Sequence, residues 1–312
     1  MSISHGQALL ALCKQATAQV FLAAPFIKAG VLKKLLQAIP AASEVTIVTR
    51  WIAKEVAQGV CDLEIFDLAI ERPRTRLLLH PCIHAKYYRV DSRCLIGSAN
   101  LTATALGWCA VPNIEILLEV SPFQHELPKF EEMLIQQSIT ATEKIKDSIA
   151  RLVEDIKNRS STIFYDNQNE AIESSPNSTW LPTCVCPENL FKIYSGADTS
   201  SLLTSSLIAG QTDLSFLMIA PGLLEDEFFR YIATILDQTP LVREISFLSG
   251  TSAVTSETAT ALISLAIKEI QTPAYDPETY WHILKKWIIY FFPNRYRVRA
   301  IGEVLEQARE LN

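Results

Sequence analysis

The stretch PCIHAKYYRVDSRCLIGSANLT, residues 81–102, contains two short runs, HAKYYRV (84–90) and RCLIG (93–97), that meet around Asp91-Ser92-Arg93. Two such runs joined so closely predict a tight β-hairpin. Alternate side chains of a strand share a face, so His84, Lys86 and Tyr88 line one side and Ala85, Tyr87 and Arg89 the other. The return strand brings the GSAN turn back beside the start of the first, gathering His84, Lys86, Ser98 and Asn100 around one small cavity. Lysine supplies a fixed charge, the serine hydroxyl and asparagine amide supply neutral donors, and Gly97 admits a close backbone approach. Such a set suits the non-bridging oxygens of a phosphoryl group. His84, one of only five histidines in the chain, is left for the reaction itself.

Working outward, the first 125 residues alternate between strand and helix patterns. The runs at 18–27, 44–50, 75–80 and 114–120 read as strands, GVLKKLLQAI as a helix, and 101–108 as a further helix after the GSAN turn. Strands separated by helices, with one hairpin among them, predict an α/β sandwich on a mixed sheet. Beyond SPFQHELP the character changes. Residues 128–158 read as one long polar connector helix, with Ile145, Ile149, Leu152, Val153 and Ile156 along one face. Residues 159–180, rich in Ser, Asn and acidic side chains, read as a linker. From 179 to 312 helical patterns dominate, at LLEDEFFRYIATILDQ and SETATALISLAIKEIQ, with a strand expected at LSFLMIAP. The expected organisation is therefore a catalytic domain over 1–125, a connector and linker over 126–178, and a mostly helical or α+β C-terminal domain over 179–312. That last domain is the place for substrate or partner recognition.

With 312 residues, 49% hydrophobic and 20% charged, the chain has the balance of a soluble globular protein with one or two real cores. No basic start with an unbroken apolar core opens it, and no run of 18 apolar residues appears, so the expected location is the cytoplasm, with no membrane contact. Seven cysteines without C-x-x-C spacing suit reduced thiols. Cys184 and Cys186 stand too close for a tetrahedral zinc half-site and have no partner cluster, so no metal is expected. The net charge of −6 is uneven: residues 1–125 carry 12 basic and 9 acidic side chains, a balance of +3, and the remainder 16 and 25, a balance of −9. The basic half is the one with the histidine and lysine, which favours a phosphate-bearing partner there.

In order, His84, Lys86 and Asp91, followed by Gly97, Ser98 and Asn100, resemble the phospholipase D superfamily motif, H-x-K-x(4)-D and then G-S-x-N. Five residues separate Asp91 from Gly97 where six is usual. The following LTATALG looks like the loop of nuclease members, and the resemblance covers about the first 125 residues. It implies a metal-independent, cofactor-free phosphodiesterase in which a histidine attacks phosphorus to form a covalent phosphohistidine and a second histidine protonates the leaving oxygen. One motif per chain then implies a homodimer with the two His84 side chains facing across a two-fold axis. Glu115, in NIEILLEV, resembles the family glutamate that orients the nucleophilic histidine, although an edge-strand glutamate reads equally well from alternation. The catalytic set is thus His84, Lys86, Asp91, Ser98, Asn100 and Glu115. His80 reads as a polar strand terminus; His5, His125 and His282 read as surface or capping residues.

A second candidate is YWHILKKWIIYFFPNRYRVRAIGE (280–303), which interleaves Lys285, Lys286, Arg295, Arg297 and Arg299 with aromatics. Basic and aromatic residues together can bind nucleic acid. The competing reading is an amphipathic helix with lysines on its wet face and tryptophans in the core, then a charged edge strand. The leading expectation is a nuclease, acting on DNA ahead of RNA, in DNA processing or host defence. Two alternatives stand beside it. One is a phospholipase or phosphatidyltransferase with ALGWCAVP (105–112) lining an apolar channel. The other is an effector subunit whose acidic C-terminal half binds a protein partner that gates activity.

Overall fold

The computed structural model describes residues 4–123, 126–160, 180–251, 253–268, 270, 273–299 and 304–307. The chain divides into two compact units, Met1–Asn167 with Ala220–Leu223, and Gln168–Ile219 with Leu224–Asn312. The linker expected over 159–180 falls almost wholly on residues 161–179, outside the described residues, as does His125.

The first unit is α/β. Its order is α1 (His5–Lys14), β1 (Gln19–Ala23), α2 (Ala29–Ala38), β2 (Glu44–Thr49), α3 (Ala53–Ala57), α4 (Ile65–Glu71), β3 (Thr75–Leu79), β4 (Lys86–Val90), β5 (Arg93–Gly97), β6 (Leu117–Val120), α5 (Glu126–Gln137), β7 (Ile139–Thr140) and α6 (Glu143–Ser160). The strands form one seven-stranded sheet in the order β6-β5-β4-β1-β2-β3-β7. β1, β2 and β3 are parallel, and every other pairing is antiparallel. Side-chain alternation divides the sheet's two faces. Leu22, Ile47 and Tyr88 are fully buried on one, while Phe21, Val48, Leu78 and Tyr87 share a core with Leu134 of α5 on the other. Each such large side chain contributes about 1.5–3 kcal/mol by leaving water.

Two expectations for this unit need correction. The polar run 128–158 is two helices, not one: α5 stops at Gln137, and Ile139–Thr140 pairs antiparallel with β3 through Leu79 and Leu78. Two residues are too short a run to show strand periodicity. On α6, Ile145, Ile149 and Val153 are buried and Leu152 is 40% exposed, so the apolar stripe is real and narrower than read. Residues 101–108 form turns rather than a helix. Leu106 N–H donates to Thr102 O, but Trp108 N–H reaches back to Ala103 O, and Gly107 between them has φ +70°, which ends any helical ladder.

The second unit holds α7 (Leu190–Ser195), α8 (Thr204–Leu217), α9 (Glu225–Gln238), α10 (Pro240–Thr251), α11 (Ser256–Ile267), α12 (Pro277–Phe291) and the antiparallel hairpin of β8 (Tyr296–Arg299) and β9 (Val304–Gln307). LSFL, expected to begin a strand, instead ends α8. The core gathers Val242, Ile245, Ile263, Trp281, Leu284 and Ile288. Val254, between α10 and α11, bridges Leu305 of β9. No helix among the described residues is long and apolar enough to cross a membrane.

Candidate active site

The hairpin forms as its sequence dictates. β4 and β5 pair from Lys86 with Gly97 to Val90 with Arg93, leaving Asp91-Ser92 as a two-residue turn. Asp91 takes φ +50°, a left-handed conformation that aspartate tolerates better than most residues. The carboxyl ends of the parallel strands, the start of β4 and the end of β5 therefore meet at one end of the sheet, where open α/β sheets place their ligands.

At that end His84 is exposed, two residues before β4, and Lys86 is only 8% exposed. The Lys86 ammonium donates to the carbonyl of His84 at 2.9 Å and lies 3.4 Å from Nε2 and 3.5 Å from Nδ1 of its ring. Near-equal distances place the charge beside the ring rather than in line with either lone pair. Lys86 thus fixes a positive charge beside the imidazole and clamps the backbone that carries it.

Facing Lys86 across the ladder is Gly97, and the next residues build the other half of the cluster. Ser98 Oγ donates to Glu115 Oε2 and accepts from Ile116 N–H at 3.0 Å; Ser98 N–H donates to Ile116 O at 2.9 Å. The other oxygen of Glu115 accepts from Asn113 Nδ2 at 3.3 Å. The structure therefore joins Glu115 to the serine turn. Gly97 serves a different purpose from the one expected. A Cβ there would meet the Ile116 carbonyl at 1.9 Å, so the close approach that glycine permits is taken by the neighbouring chain segment. Asn100 Oδ1 is enclosed and accepts no hydrogen bond. Rotating the amide by 180° puts its NH2 donor at the same place. Fully buried Tyr88 holds the turn from below, its hydroxyl donating to Ala99 O at 2.6 Å. Burial, with a smaller push from Glu115, raises that phenol well above its usual 10, so it remains a donor.

Asp91 lies elsewhere. Five residues of strand place it roughly 16 Å from Lys86, where it accepts from Thr17 N–H, Thr17 Oγ1, Ala18 N–H and Gln19 N–H at 2.7 to 2.9 Å. It anchors the start of β1 and takes no part in the cluster. A groove of about 670 Å3 lined by Gln19, Thr46, Arg74, Arg76 and Arg89 also lies toward that opposite end, away from His84.

His5 was not expected at the site. The sequence shows it only as the first residue of a capped helix, yet its Nε2 lies 2.9 Å from the Glu115 carbonyl. α1 packs beside α2 and β4, and its first residue reaches the same end of the sheet, at Glu115. Gly6 is packed so tightly on Trp108 that a Cβ would meet the indole at 2.4 Å, and the Lys34 ammonium sits 3.9 Å from that ring. His80 is 3% exposed; its Nδ1 accepts from Cys82 N–H and its Nε2 faces Gln137. Burial lowers its pKa below 6.5, which keeps it neutral as a loop anchor.

The basic segment of the second unit is dispersed. On α12, Lys285 is 8% exposed with its ammonium 5.6 Å from the Trp281 ring, while Lys286 is exposed. Arg295 pairs with Asp237 and Ser246, and Arg297 with Glu306; Arg299 ends β8, its side chain outside the described residues. α12 is buried on two sides, by the core cluster and by Trp180 and Phe229 against Trp287 and Phe291. A helix needs a whole open face to enter a major groove, and α12 has only the stripe of Glu278, His282 and Lys286.

No family model matches the chain, and no curated protein matches it either. Among solved structures it resembles NucT from Helicobacter pylori, at 14% identity and a TM-score of 0.35, over 43% of this chain and 89% of that one. It also resembles phosphatidylserine synthase from Haemophilus influenzae Rd KW20, at 15% and 0.35, over 50% of this chain and 42% of that one. A third is TrmBL2, described as an archaeal chromatin protein with a novel mode of DNA binding, at 15% and 0.29, over 43% and 48%. Likenesses of this size carry no argument. The site stands on its own geometry.

Proposed function

We propose that the chain is a metal-independent phosphodiesterase that cleaves nucleic acid, DNA ahead of RNA, through a covalent phosphohistidine at His84. The observation that carries this reading is the Lys86 ammonium held beside both ring nitrogens of an exposed histidine, with the Ser98 to Asn100 turn across the ladder. An imidazole nitrogen of His84 attacks phosphorus and the bond to the leaving oxygen breaks; that oxygen takes its proton from a second imidazolium. Water then attacks the phosphohistidine, gives its proton to the same second imidazole, and frees His84. Lys86 and the Asn100 amide neutralise the charge that develops on the non-bridging oxygens.

The second imidazole is His84 of another copy, in a homodimer with a shared site. β6 is the edge of the sheet, and Ile114, Ile116 and Leu118 beside it are all more than half exposed, which supports a partner on this side. Light scattering during gel filtration tests the dimer. A strictly monomeric active enzyme would sink the shared site and move the acid role to another imidazole at this end of the sheet, where His5 lies beside Glu115 and buried His80 follows β3. Of the basic residues read from the sequence in the second unit, exposed Lys286 is kept as a secondary contact for the polymer backbone; Lys285 is buried and Arg295 and Arg297 are engaged by other elements.

The test of the reaction is cleavage of labelled single- and double-stranded DNA and RNA in excess EDTA, with His84→Ala alongside. Cleavage that survives EDTA and vanishes in the variant supports the proposal. Cleavage that persists in the variant sinks it, and no cleavage of any polymer turns the assay to a phospholipid.

A further inference from the structure

The loop that carries His84 rests on a buried ion pair. Arg50 follows β2, and its Nε and Nη2 donate to the two oxygens of Glu55 in α3, at 3.1 and 2.5 Å. The remaining arm, Nη1, donates to the carbonyl of Ile83, the residue before His84, at 3.3 Å. The guanidinium carbon stands 5.4 Å from the centre of the Phe26 ring, and the Arg50 and Glu55 side chains are 15% and 8% exposed. The same loop is tied by His80 N–H to Thr49 O at 2.8 Å and Ile83 N–H to His80 O at 3.4 Å.

A buried arginine-carboxylate pair is a poor stabiliser, because desolvation consumes most of its attraction and an apolar pair of similar size does as well. What the pair supplies instead is a rigid fork of donors in a fixed plane. Two arms lock the guanidinium onto Glu55, and the third is thereby aimed at one peptide carbonyl. His84 lies outside any strand, so no ladder fixes its backbone. The carbonyl before it is held by Arg50, and its own carbonyl by Lys86.

We propose that Arg50, oriented by Glu55, is a positioning residue that sets the direction in which the His84 imidazole leaves its loop. This rests on the reading of His84 as the nucleophile. The guanidinium acts through the Ile83 carbonyl, so its contribution is to the placement of His84 and not to binding of the substrate.

The experiment uses the full chain carrying Arg50→Met/Glu55→Met, which removes the pair without leaving a lone buried charge, and Arg50→Lys, which keeps the charge and loses the fork. Circular dichroism and thermal midpoint establish folding. Two readouts follow: kcat and KM for bis(p-nitrophenyl) phosphate in EDTA, and the His84 ring resonance in histidine-labelled protein, assigned with His84→Gln. The expected result in both variants is a fall in kcat of about 100-fold, the scale of a misplacement near 1 Å. KM should stay within about threefold, since ground-state binding is untouched, and the His84 resonance should shift or broaden while that of His282 stays in place. An unchanged His84 resonance with kcat within about twofold of the parent would overturn the proposal. So would full activity in Arg50→Lys, which would make the charge and not the fork responsible. If the parent shows no turnover, the reading of His84 fails, and its resonance in the two variants still decides whether Arg50 holds the ring.

Discussion

At one end of β4 the Lys86 ammonium stands against the ring of an exposed histidine; at the other, the Asp91 carboxylate accepts hydrogen bonds from residues 17–19. Both residues belong to one eight-residue motif. The same strand therefore carries the proposed chemistry at its start and architecture at its finish, and the difference is set by what faces each end. Near Lys86 lie loops with an enclosed amide and a short serine-carboxylate contact. Near Asp91 lies the bare start of β1, whose three N–H groups need an acceptor. A motif written in one line of sequence need not be one site.

The sharpest way to break this comparison is at His84. His84→Ala should lower phosphodiester turnover by about 10^4-fold or more and leave the thermal midpoint within a degree or two of the parent, since the side chain is exposed. Lys86→Met should follow, with a loss of about 10^2 to 10^3-fold in kcat, the scale of removing one charge-stabilising donor. Asp91→Ala should do the reverse: a destabilisation of about 2 kcal/mol from lost charge-assisted bonds, read by urea unfolding, with turnover per folded molecule unchanged. A large drop in its kcat would show that the two ends are coupled.

The Asp91 contrast can be sharpened with pH. Burial pulls its carboxyl upward, but the hydrogen bonds from Gln19, Thr17 and Ala18 outweigh it and hold the group below its usual 3.8. A folded value below the unfolded one means that the stabilisation is complete above about pH 4 and is lost as pH falls through the folded value. Asp91→Asn should remove that part of the acid dependence of stability while leaving the pH profile of turnover in place. The smallest expected effect is that of Tyr88→Phe: about 1 kcal/mol of stability for an orphaned Ala99 carbonyl, and a fall of a few-fold in kcat as the turn loosens.

How much of this was legible in the sequence follows from the range of each contact. The hairpin was, because its pairing is local and two short runs meet at a two-residue turn. The α/β class was, because its strands and helices are separate periodic runs. The role of Asp91 was not, since its partners lie 72 to 74 residues earlier. The His5 contact with Glu115 spans 110 positions, and Arg50 reaches Ile83 across 33; no local pattern records either. The break between α5 and α6 was hidden because a two-residue strand has no period to detect, and residues 101–108 looked helical because their composition is helical up to Gly107. The basic run 285–299 was legible as charge but not as surface, for a related reason. Charge is visible in a sequence, but the partners that neutralise it, Asp237 for Arg295 and Glu306 for Arg297, come from other elements, and burial of Lys285 depends on the packing around it.

The central claim is a covalent bond between phosphorus and His84, and it can be trapped. Rapid quenching of the protein with a phosphodiester substrate in EDTA, followed by digestion and mass spectrometry, should yield an acid-labile, base-stable phosphoryl adduct on the peptide containing His84, absent from His84→Ala. Steady turnover with no adduct at any quench time, or an adduct on a different residue, would contradict the account.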